Sequence, residues 1–105
     1  MAVTSKKLFR GAATTTLTTN LYTVPSATTT VVTSLIVSNT ASTSGTFTVA
    51  IGTAGSETAL FDAVEIAADT TVVIDLKQVL VATEVIDGGA SAVTINFHIS
   101  GVEIV

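Results

Sequence analysis

The chain has 105 residues, room for a single domain, and combines 48% hydrophobic with only 11% charged residues at a formal net charge of −4. Threonine, valine and isoleucine, stiff at χ1 and suited to a pleated sheet, fill 44 of the 105 positions, which excludes a helical bundle; the hydrophobicity excludes a disordered tail. No cysteine and one histidine exclude a disulfide scaffold, a thiol nucleophile and the usual zinc sites.

Residues 1–18 read as a short N-terminal arm and 19–105 as the folded domain. Three of the four basic residues, Lys6, Lys7 and Arg10, stand in the first ten positions, where there is no acid. From residue 11 onward eight acids face only Lys77. A basic arm on an acidic body either anchors on an acidic protein surface, with Lys6, Lys7, Leu8, Phe9 and Arg10 as the contact residues, or is a solvated, frayed terminus. The acidic body repels phosphate, so a nucleic-acid partner is not expected. Basic residues interrupt the arm before a secretory apolar core can build up, and no stretch approaches the roughly 20 apolar residues of a membrane helix. The chain is therefore expected to be soluble in a cytoplasm, with no membrane partner.

Beyond the arm, Asn20 to Val24 reads as a short strand and Pro25-Ser26-Ala27-Thr28 as a turn, because proline presets φ for turn position i+1. Thr30 to Asn39 is a long strand with Val31, Leu35 and Val37 on one face and Val32 and Ile36 on the other, the pattern of a central or covered strand. After the Asn39–Gly45 loop, Phe47, Val49 and Ile51 alternate with Thr46, Thr48 and Ala50 as in a half-buried strand. Gly52 to Ser56 is a loop. Thr58 to Ile66 reads as an edge strand whose Asp62 and Glu65 discourage edge pairing. Ala67-Ala68-Asp69 turns into Thr70 to Leu76, and Lys77 to Thr83 reads as a brief helical turn. Glu84 to Asp87 is a short strand, followed by a Gly88-Gly89 turn. In the last segment Val93, Ile95, Phe97 and Ile99 share a face opposite Thr94, Asn96, His98 and Ser100. The phase shifts after Gly101, which reads as a β-bulge glycine with positive φ.

Short strands at roughly 8–12-residue spacing, with turn signals between them, predict an all-β fold: a single-domain antiparallel β-sandwich, Ig-like or jelly-roll-like. Candidate chemistry is sparse. His98 has no nucleophile or carboxylate promised beside it, and no Gly-x-Ser-x-Gly elbow occurs. The acids Glu57, Asp62, Glu65, Asp69, Asp75, Glu84, Asp87 and Glu103 form no calcium-loop run, and Asp69 and Asp87 read as solvated turn residues. The glycine pairs lack the lysine and helix of a phosphate cradle. No catalytic residue, metal ligand or cofactor is expected. Thr28 to Asn39 has no charge, proline or glycine, a hazard on an open edge. That suits either a central strand within a monomeric sandwich or a subunit whose surfaces are covered in an assembly.

The pieces Asn20-Leu21-Tyr22-Thr23-Val24-Pro25 leading into Thr30–Asn39, then Ile66-Ala67-Ala68-Asp69-Thr70, Ile74-Asp75-Leu76 and Gly101-Val102-Glu103-Ile104, occur in an order that resembles small virion proteins of tailed bacteriophages. The resemblance implies a non-enzymatic β-sandwich that decorates (cements) the capsid. Its expected partners are the major capsid protein or other virion proteins and further copies of itself, a trimer being favoured. The alternative is a tail, baseplate or fibre component. A receptor- or glycan-binding module is a third reading, which the shortage of aromatic rings weakens.

Overall fold

The computed structural model describes residues 2–105; Met1, the first residue of the expected arm, lies outside the described residues. Eight strands follow in chain order: β1 Val3–Ala12, β2 Thr19–Thr23, β3 Thr29–Asn39, β4 Gly45–Gly52, β5 Thr58–Ile66, β6 Thr70–Leu80, β7 Val85–Ala90 and β8 Ile95–Ile104. They form two antiparallel sheets, A in the order β1-β8-β3-β6 and B in the order β2-β7-β4-β5. The first strand pairs with the last, the second with the seventh, the third with the sixth and the fourth with the fifth. The chain is thus one long hairpin rolled into two Greek keys, which is jelly-roll connectivity. The β-sandwich expected from sequence is the fold, and of its two candidate connectivities this is the jelly roll.

Between the sheets lie Val24, Leu35, Val37, Phe47, Ile66, Leu80, Ile86, Ile95 and Phe97, all fully buried. Each such side chain stabilises the fold by about 1.5–3 kcal/mol relative to exposure. β8 shows why: buried Ile95, Phe97 and Ile99 alternate with Asn96, His98 and Ser100 on the outer face, period 2 imposed by the pleat. Asn39 ends β3 and is buried; its amide donates to the carbonyls of Thr43, Ile66 and Ala67, and its Oδ1 accepts from the Ala41 amide. One side chain therefore ties the 40–44 loop to the end of β5.

Several expectations are corrected. Residues 3–12 of the expected arm are not free: they form β1, an edge strand paired with β8 from Val3↔Ile104 to Ala12↔Asn96. The lysines concealed this, because an edge strand with one open face needs few apolar residues to bind. In β3 the buried set is Val32, Leu35 and Val37 rather than Val31, Leu35 and Val37. The cause is a bulge: Val32 pairs with Gly101 and Ser34 with Ser100, leaving Thr33 as an extra residue that flips the phase. β1 carries a matching bulge at Leu8, between Lys7↔Ser100 and Phe9↔Ile99. The bulges therefore sit on both neighbours of β8, not at Gly101. Among the described residues only Gly52 and Gly55 are glycines with positive φ. Gly101 is required for close approach instead, since a Cβ there would strike the Val31 carbonyl oxygen.

Lys77–Thr83 is not a helical turn. β6 runs straight to Leu80, alternating Val72, Ile74, Leu76, Gln78 and Leu80 inward, and the polar Lys77-Gln78 pair had masked that period. Gly88-Gly89 is not a turn either but the interior of β7. A Cβ on Gly89 would lie 2.9 Å from Leu17 Cα and from the Thr14 carbonyl, because the 13–18 loop crosses directly over it. Val93 precedes β8 and is exposed rather than sharing its inner face.

Candidate functional site

The outer face of sheet A can be read row by row, since residues opposite one another in an antiparallel pair share a face. One row is Lys7–Ser100–Ser34–Asp75, and the next on the same face is Arg10–His98–Ile36–Val73. Lys7, Arg10, Asp75 and Val73 are exposed, and Ser100 with them; Ile36 and His98 are half-buried. A shallow groove of about 460 Å³ opens on the β1 side, lined among others by Ser5, Lys7, Arg10, Thr33, Ser100 and Val102. Its chemistry is cationic and hydroxyl-rich, suited to holding carboxylates of a partner surface. The interior offers less room: the apolar space between Val32, Leu35, Val49 and Ile86 amounts to about 10 Å³, the size of one water at most.

The five residues proposed as arm contacts are split by the strand. Lys7 and Arg10 point outward and are exposed. Leu8 is buried in the core and Phe9 packs against it, so both are committed to their own domain. Lys6 reaches Glu103, with Nζ 3.3 Å from Oε1, the only ion pair among the described residues. The same carboxylate accepts the hydroxyl of buried Tyr22, which in turn accepts from Thr30 at 2.8 Å. Burial, then the Glu103 contact, pushes the Tyr22 phenol up to about 12. Glu103 is held below the usual carboxylate range by the Tyr22 hydroxyl and by Lys6. These bonds join β1, β2, β3 and β8 at one end of the sandwich; the sequence offered no sign of them.

His98 has Arg10 and Ile36 as its cross-strand neighbours, so neither an acid nor a nucleophile stands opposite it. Among the described residues no group of three or more His, Cys, Asp or Glu side chains is arranged to hold a metal ion.

Asp87, expected as a solvated turn residue, is buried in β7. Its Oδ1 is 3.5 Å from the Asn20 amide nitrogen, and its other neighbour is the Glu57 carboxyl. Burial first, and Glu57 second, raise the Asp87 carboxyl from 3.8 to about 6, while the bond from the Asp87 acid holds Glu57 low. A raised acid carries no cost below its unfolded value and a full cost above its folded one, so stability falls as pH rises from about 4 to about 6. The depressed Glu57 works in the opposite sense and offsets part of this. Asp87→Asn is expected to stabilise the protein by about 1 kcal/mol near pH 8 and to change little near pH 4. Urea unfolding at both pH values checks this, and an equal effect at the two would contradict it.

No known protein family, curated protein or solved structure matches the chain.

Proposed function

We propose that the protein is a capsid decoration (cement) protein of a tailed bacteriophage, a non-enzymatic subunit that binds the outside of the assembled head and stabilises it. The reading rests on the resemblance of its strand-and-turn pieces to phage virion proteins. The observation that supports it in the structure is the outer face of sheet A, where the unpaired cations Lys7 and Arg10 lie beside a groove and valines 3, 73 and 79 stand exposed. Exposed apolar side chains rimmed by charge mark contact surfaces. The filled interior also favours surface contact over small-molecule chemistry.

In this account the neighbour contact comes from a rigid strand rather than a flexible arm. Its backbone is already ordered by pairing with β8, so the entropy lost on binding is that of the side chains rather than of the whole segment. Many weak, repeated contacts on a shell then add through avidity.

The test uses cognate shells lacking the protein, incubated with purified protein and sedimented. Wild type is expected to bind saturably and to raise the temperature of shell disruption. Deleting residues 1–10 would remove Leu8 from the core and confound the result, so charge reversal is the sharper change. Lys7→Glu/Arg10→Glu is expected to weaken occupancy roughly tenfold or more with an unchanged melting temperature. Absence of wild-type binding would overturn the function, and full binding by the variant would overturn the role of β1.

A further inference from the structure

The exposed edge strands of this domain differ in charge on its two flanks. β1 lies over β2 on one flank and β6 over β5 on the other. The first flank exposes Lys7 and Arg10 with no acid engaged to either, Lys6 being tied to Glu103. The second exposes Asp62 and Glu65 on β5 and Asp75 on β6, against the single cation Lys77. All four flank strands are sheet edges with unpaired backbone groups.

Opposite charge on the two flanks decides between modes of self-association. An isologous contact through β1 would set Lys7 and Arg10 against themselves, and one through β5 would set Asp62 and Glu65 against acids. One through β6 alone, centred on Leu76, would pair Asp75 with Lys77 and is separated from the head-to-tail mode by its mass of two copies. A head-to-tail contact pairs the unlike flanks. Strand direction agrees: β1 is antiparallel to β8, β8 to β3 and β3 to β6, so β6 opposes β1. A second copy placed alongside without being turned over therefore presents its β6 antiparallel to β1, continuing the alternation of sheet A.

Height agrees as well. Lys7 and Asp75 lie in one row, Lys7–Ser100–Ser34–Asp75, and on one face. With no slip along the strands, Asp75 of one copy stands opposite Lys7 of the next and diagonal to Arg10, both within cross-strand reach. Lys77 falls on the Ser5 side of that row, away from Arg10 but diagonal to Lys7, so it offsets part of the attraction. With extents of 46, 26 and 18 Å, a flank running along the strands has room for the roughly 800 Å² per partner of a standard contact.

We infer that copies of this protein associate head to tail, with the β1 edge of one against the β6 edge of the next through Lys7, Arg10 and Asp75. This rests on the proposed role as an assembling virion subunit and names the acidic surface that β1 meets. Such a contact propagates until it closes into a ring, which accommodates the expected trimer.

A charge-swap cycle on purified protein, without shells, tests the inference by sedimentation equilibrium at low salt. Lys7→Asp and Asp75→Lys are each expected to lower the association constant roughly tenfold, and Lys7→Asp/Asp75→Lys to restore it to within about threefold of wild type. Within one copy the two residues are three strand spacings apart, about 14 Å, so restoration reports a contact between copies. A mass of three or more copies together with this rescue supports the proposal. A protein that stays monomeric, a mass that stops at two, or single changes without effect would overturn it. If shell occupancy nevertheless depends on Lys7 and Arg10, β1 binds the shell itself: the decoration role then stands and the head-to-tail contact falls.

Discussion

Gly101→Ala is expected to destabilise the fold by about 3 kcal/mol, although Ala is the better residue at an unconstrained strand position by roughly 0.5–1 kcal/mol. Gly101 lies on β8 level with the bulges at Leu8 of β1 and Thr33 of β3. A methyl group there would meet the Val31 carbonyl oxygen and come within 3.0 Å of Leu8 Cδ1. The leucine tip can yield, but Val31 is paired to Val102 on one side and Val79 on the other. Its carbonyl retreats only if the centre of sheet A distorts. Urea unfolding measures the change, and a stabilised variant would show that the bulges do not crowd this position.

Phe97→Ala is expected to cost about 3–5 kcal/mol, a large share of the 5–15 kcal/mol that typically holds a domain. Phe97 is 0% exposed and reaches from sheet A to the edge of the Phe47 ring in sheet B, with centroids 6.3 Å apart and planes at 71°. Phe47 in turn meets Phe61 of β5 at 5.8 Å. Removing the Phe97 ring leaves a void beside Phe47, which its own sheet and Phe61 hold in place, with little freedom to collapse. Val73→Ala on the outer face, where the side chain is 66% exposed, is expected to change stability by less than about 0.5 kcal/mol. Equal effects at the two positions would mean that the sheets do not pack through Phe97.

These two positions also show what the sequence does and does not carry. The Phe97 alternation is local, and so was legible: Ile95, Phe97 and Ile99 repeat at period 2. The reason for Gly101 is not local, because it depends on extra residues in two other strands. Thr33 illustrates the same limit, for nothing in Thr28–Asn39 marks where the phase flips. β1 was missed because Lys6-Lys7 breaks its pattern, and β7 was cut short at Asp87 because Gly88-Gly89 mimics a turn. The inference that Lys7 and Arg10 belong together needed only their clustering in the chain. That Asp75 shares the row of Lys7 could emerge only once β8 and β3 had set the register between them.

The copy number of the protein in purified virions, by gel quantitation against the major capsid protein, tests the decoration role most directly. On the order of hundreds of copies per particle, as a shell-covering subunit acting through avidity requires, is the predicted result. A handful of copies, the stoichiometry of a tail or baseplate component, would contradict it.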